Sequence, residues 1–186
     1  MTSPVAKVES PCHGEEVRLD PQRRLKVRVT APLAPTAGSA YLDASAFLLT
    51  RLGRVVDDRH FVFYGNRISP DGAVRLRGIR DGDNVLDIYL CDLAPVVDGI
   101  LVTGTVYDQI SGRSLSDVGH GMVRLSDDSG QELASFAVPS AVPGSPHDGS
   151  TLGAIFRRDG SWVFRRSVDA FTNGLRHKAL ELGVAV

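Results

Sequence analysis

Turn dipeptides cut the chain into short apolar runs: Asp71-Gly72, Asp81-Gly82, Ser111-Gly112, Ser129-Gly130 and Asp159-Gly160. Asp-Gly and Ser-Gly readily adopt tight-turn conformations, so each pair ends one segment and reverses the next. The intervening stretches are short and rich in β-branched and aromatic residues, which favours strands over helices. Leu25-Lys-Val-Arg-Val alternates apolar and basic residues with period two, the pattern of a strand with one face buried and one in water. Phe61-Val-Phe-Tyr lacks that alternation and predicts a central strand buried on both sides. Further strands are expected over residues 42–49, 85–90, 100–107, 121–125, 132–138, 152–157 and 162–166. The expected fold is all-β, a two-sheet β-sandwich with one or two short helices. One helix is C-terminal, over 175–182, preceded by Asn173-Gly174 and ended by Gly183; the other lies near 111–118. Residues 31–39 and 139–150 carry prolines and glycines and read as exposed loops, the second as an insertion.

A length of 186 residues fits one domain spanning 1–186. Charged residues make up 23% of the chain and the formal net charge is -1, so no overall field favours nucleic acid or a membrane. The basic pairs Arg23-Arg24, Arg157-Arg158 and Arg165-Arg166 lack the aromatic interleaving of a single-strand binding groove and read as solvated strand faces. The N-terminal residues do not form an export signal and no apolar run is long enough to span a bilayer, so a soluble cytoplasmic protein without membrane insertion is expected. Cys12 and Cys91 are too few for a disulfide framework, and Cys12-His13 has no second pair at zinc spacing. Cys91, in an apolar stretch, is expected in the core, as are Trp162 and Phe164.

Hard-cation chemistry is the strongest candidate activity. Ca²⁺ takes about six to eight oxygens from carboxylates, carbonyls and water. Asp71, Asp81, Asp83 and Asp87 lie in or beside glycine-containing turns. If the strands around Gly78 form a hairpin, Asp71 and the Asp81-Gly82-Asp83 turn would share an edge with Asp43. Such crowding would need a cation to neutralise it. The competing reading is local, since aspartates at turns often bond their own backbone. No Gly-x-Ser-x-Gly elbow and no phosphate-cradling loop is present, so no catalytic residue is assigned and a non-enzymatic protein is expected. His60 is expected to begin a strand with its ring satisfied.

Leu42-Asp-Ala-Ser-Ala-Phe-Leu-Leu, Phe61-Val-Phe-Tyr, residues 69–74, Asp92-Leu and Gly160-Ser-Trp-Val-Phe occur in an order that resembles the TerD family of tellurium-resistance and stress proteins of bacteria, over nearly the whole chain. The resemblance implies a compact β-sandwich, no enzymatic step, and Ca²⁺ bound by clustered acids in typical members. It matches Asp43 to the second aspartate of an Asp-Leu-Asp-Ala-Ser pattern and Asp71 to an Asp-Gly-Ser-Val turn. Tyr41 stands where the first aspartate would be, and His60 replaces an acidic residue. The acidic loop is shortened and gains Arg77 and Arg80. Alignment on Asp81-Gly-Asp puts Asn84 and Val85 at the acidic positions, whereas alignment on Asp92-Leu93 puts Asp87 there. Each lost carboxylate weakens a calcium site. Two functions follow: a binding protein with a weak or altered calcium site at Asp43, Asp71, Asp81, Asp83 and Asp87, or a metal-free module for an unidentified protein partner.

Overall fold

In the computed structural model, residues 16–30, 41–78, 83–107, 114–118, 120–138 and 144–185 are described. Twelve strands follow in chain order: β1 (Glu16–Leu19), β2 (Arg24–Thr30), β3 (Tyr41–Leu49), β4 (Phe61–Val62), β5 (Val74–Gly78), β6 (Asp83–Tyr89), β7 (Gly99–Tyr107), β8 (Met122–Asp127), β9 (Glu132–Ala137), β10 (Gly149–Arg158), β11 (Ser161–Arg166) and β12 (Ala170–Phe171). One helix, α1 (Gly174–Glu181), follows them. The strands form two antiparallel sheets. The seven-stranded sheet runs β1-β11-β10-β7-β3-β4 with β12 beside β10, and the five-stranded sheet runs β5-β6-β2-β8-β9.

Period two builds the core between the sheets. In β2, Leu25, Val27 and Val29 are buried while Arg24, Lys26 and Arg28 face outward. In β3, Leu42, Ala44, Ala46 and Leu48 enter the same core. β10 contributes both Leu152 and Ile155, which have opposite parity, because its register shifts at a bulge between Thr151 and Gly153. Trp162 and Phe164 join them, as expected. Between β10 and β11, Asp159 and Gly160 both have positive φ, the two-residue turn that an Asp-Gly pair favours.

The seven-stranded sheet is also covered on its far side. Phe47 and Phe61 pack there with Ala179 of α1 and Val184. Phe47, Phe61 and Phe63 stack with centroid separations of 4.3 and 4.4 Å. This corrects the expectation of a central Phe61-Val-Phe-Tyr strand: β4 is only Phe61–Val62, pairs with β3 alone and sits at the sheet edge. Its two residues are buried because Val62 faces the inter-sheet core and Phe61 faces the helix cluster. Cys91 also departs from expectation, lying exposed in a 3₁₀ turn after β6. Residues 149–150 belong to β10, and Leu115 N donates to His147 O, so this end of the expected 139–150 loop is tied down; 139–143 lie outside the described residues. The expected helix near 111–118 is a single 3₁₀ turn, Leu115–Asp117, among the described residues. The 31–39 loop and Cys12 lie outside them.

One polar contact joins the sheets within the core. The Asn84 side-chain amide of β6 donates to the Leu42 carbonyl of β3 at 2.8 Å, and Asn84 is buried. Truncating it strands a buried carbonyl, a loss of about 1–3 kcal/mol. Asn84→Ala is therefore expected to lower the unfolding free energy measured by urea denaturation by that amount, with a lower midpoint at an unchanged slope, and an unchanged midpoint would show that the bridge contributes nothing.

Candidate functional site

The hairpin expected around Gly78 forms, with β5 and β6 antiparallel, yet it disperses the acids. Asp71 precedes β5, so it lies at the opposite end of that strand from the turn before Asp83. At about 3.3 Å per residue, the intervening strand is roughly 16 Å long. Asp71 is fully engaged there, accepting from Ser69 Oγ, Ala73 N at 3.0 Å and Ala94 N at 2.9 Å. Burial pushes its carboxyl up, but these hydrogen bonds outweigh it and hold the pKa below the ordinary value. Asp71 thus takes the local role available to an aspartate at a turn.

Asp83 and Asp87 project from β6 onto the outer face of the five-stranded sheet, beside Arg24, Lys26, Arg28, Arg75 and Arg77. Asp83 pairs with Arg28 at 3.5 Å. Asp87 is 2% exposed and its Oδ2 takes both Arg24, at 3.0 Å, and Arg77. Its Oδ1 is buried without a hydrogen bond among the described residues. The Arg24-Asp87-Arg77 group carries a formal charge of +1, so that remaining oxygen stands in a field that repels a divalent cation. Asp81 lies outside the described residues. No group of three or more metal-ligating His, Cys, Asp or Glu side chains forms among the described residues, and Asp43, Asp71 and the Asp83–Asp87 pair stand in three separate places. Cross-strand register sets Lys26 and Arg75 directly opposite Asp87, and Arg24 and Arg77 reach it from the diagonal positions beside Tyr89 and Val85; the basic period of β2 and the arginine gained before Gly78 were the available sequence signals.

Asp43 occupies a third environment, on the helix-facing side of the seven-stranded sheet. It lines a cleft of about 320 Å³ with Phe61, Phe63, Thr105, Leu175 and Arg176. The cleft forms because β3 and β7 pair Asp43 with Thr105 while α1 crosses above them. On the same face Ser45 and Thr103 oppose each other, and their buried hydroxyls make no hydrogen bond among the described residues. Asp43 itself is half-buried, and burial pushes its pKa up to about 6 against a smaller opposing pull from Arg67. His60 ends a 3₁₀ turn just before β4, with Nδ1 2.9 Å from Asp57 Oδ1.

A carboxyl whose pKa is higher in the folded state favours folding when protonated and opposes it when ionised. Stability from Asp43 therefore falls as pH rises from about 4 through about 6. Asp43→Asn is expected to raise Tm at neutral pH, with the gain shrinking as pH falls through that window in scanning calorimetry. A lower Tm for the variant at neutral pH would reveal a stabilising contact to the carboxylate.

The sandwich has known relatives. The chain is 33% identical over 151 residues to the tellurium resistance protein TerD of Serratia marcescens, covering 77% of this chain and 78% of that one. It is 25% identical over 153 residues to general stress protein 16U of Bacillus subtilis, covering 78% of each. The crystal structure of a homologue of telluride resistance protein TerD from Streptomyces coelicolor A3(2) superposes with a TM-score of 0.67 at 21% identity, covering 89% of this chain and 99% of that one. The sequence profile of the TerD domain matches residues 13–180. With most of its length matched by that profile and carrying the two-sheet fold, the chain belongs to the TerD domain family.

Proposed function

We propose that this chain is a non-enzymatic binding protein of the bacterial stress and tellurium-resistance class, working as a metal-independent protein-interaction module. The names of its relatives in Serratia and Bacillus support the class. The observation that carries metal independence is the buried Asp87 held by Arg24 and Arg77. Under the alignment on Asp92-Leu93, the residue at the acidic position here neutralises arginines. Asp83 and Asp71 are likewise engaged by protein groups. A cytoplasmic location belongs to the same reading; no described helix is long and apolar enough to cross a membrane.

The absence of a catalytic step is also part of the proposal. Ser145 Oγ and His147 Nδ1 lie 2.6 Å apart, but the contact spans two residues of one loop, and no described carboxylate is bonded to that ring. A nucleophile and base without an orienting acid lack the third member of a triad. The calcium reading retains one favourable observation, that the Asp43 carboxylate makes no hydrogen bond with a described residue while facing a cleft.

Calorimetric titration of chelator-stripped protein with Ca²⁺ separates the two. The expected result is no binding heat and no rise in Tm at millimolar Ca²⁺. Saturable heat that disappears in Asp43→Asn would establish the calcium reading instead.

A further inference from the structure

The outer face of the five-stranded sheet carries far more positive charge than the chain as a whole. Six cationic side chains on β2, β5 and β8 face outward there, against three carboxylates, in a protein of net charge -1. No described element packs over this face, since α1 lies on the other sheet. Register sharpens the imbalance. Arg28 stands directly opposite Arg124, an arrangement that disfavours folding because like charges face each other across neighbouring strands. Their acids relieve this weakly: Arg28 reaches Asp83 at 3.5 Å and Arg124 reaches Glu132 at 3.8 Å, with the arginines 53% and 58% exposed. Exposed pairs of such length contribute little. Lys26 makes no ion pair with a described acid.

Arg28 and Arg77 flank Val85 from the two adjoining strands, about 10 Å apart at the usual strand spacing. With Lys26 and Arg67 they wall an open groove of about 520 Å³. Val85, 6% exposed, supplies an apolar floor. We infer that this groove docks an acidic, extended segment of a partner protein, its carboxylates paired with Arg28, Arg77 and Lys26 and an aliphatic side chain resting on Val85. Planar guanidinium groups match carboxylates with two parallel hydrogen bonds, which suits them to this role.

Other polyanions fit less well. Single-stranded nucleic acid needs free aromatic faces for base stacking. Tyr89, whose ring borders this surface, already lies under Arg24 and Arg75, with guanidinium carbons 5.0 and 6.0 Å from its centroid. An anionic membrane surface needs several apolar anchors as well as charge, yet of the exposed large apolar residues Leu52, Tyr64, Ile68, Val96 and Leu180 none lies in a strand of this face, and Ile68 alone is bridged to one, at Arg75 on its edge. The inference rests on the interaction-module reading but is tested apart from it: calcium titration reports on metal independence, peptide binding on this groove.

The probe is a fluorescein-labelled oligoglutamate peptide with interspersed valines, followed by anisotropy against the intact chain at about 50 mM NaCl, where screening is modest. Saturable, salt-sensitive binding is expected. Arg28→Gln with Arg124→Gln should weaken it at least about tenfold while Tm stays level or rises, because the opposed charges are removed. Arg18→Gln with Arg51→Gln, exposed positions off this face, makes the same change in net charge and should leave affinity within about twofold. The inference is overturned by an absence of saturation at millimolar protein, or by equal weakening in both double variants. It is also overturned if an oligothymidylate or phosphatidylserine vesicles bind more tightly than the peptide and lose that binding in Arg28→Gln with Arg124→Gln.

Discussion

Strand β3 must be covered on both faces, and most of the architecture follows from meeting that requirement. Leu42, Ala44, Ala46 and Leu48 on one face need the five-stranded sheet. Phe47 on the other needs α1 and the ring of Phe61. Burial of one large apolar side chain contributes about 1.5–3 kcal/mol, so neither face can be left in water. Gly104 on the neighbouring β7 leaves room for core side chains of the two strands beside it: a Cβ there would lie 2.9 Å from the Leu42 side chain and 3.1 Å from that of Leu152. Asn84 then fixes the two sheets by a directed hydrogen bond. The cleft at Asp43 is a product of the same double covering, since α1 lies over a strand that carries a carboxylate among its outward residues.

The five-stranded sheet has the opposite character. Its inner face is apolar, while its outer face receives no covering from a described element and is governed by electrostatics. There the acids of β6 meet the arginines of β2 and β5 strand by strand. A carboxylate as buried as Asp87 is tolerated only when its charge is compensated, and two guanidiniums provide that compensation.

Local signals made the fold readable from sequence. The alternation of residues 25–29 named both the strand and its buried face, and Asp159-Gly160 named a hairpin that forms with positive φ at both residues. Gly183 ends α1 with φ of 93°, as its placement suggested. Tertiary facts were not readable. Phe61 and Val62 look central because both are buried, but the helix that hides Phe61 comes from the far end of the chain. β5 is expected only as one arm of a hairpin around Gly78, without bounds, and its Val-Arg-Leu-Arg alternation turns Arg75 and Arg77 outward. The candidate site misled for a related reason: Asp43, Asp71, Asp83 and Asp87 are near in sequence, yet strand parity and sheet membership send them to separate places. Only register shows that Asp87 faces Lys26 and Arg75 on its two sides.

The central claim is that the Asp87 carboxylate serves two arginines and not a metal ion. Carbon-13 NMR of the aspartate carboxyl groups, recorded with and without millimolar Ca²⁺ on chelator-stripped protein, tests it at the atom concerned. The account predicts that the Asp87 resonance does not move on adding calcium but shifts when Arg77 is replaced by glutamine, because the guanidinium is its neighbour. A calcium-dependent displacement of the Asp87 carboxyl resonance that saturates with added ion would contradict it.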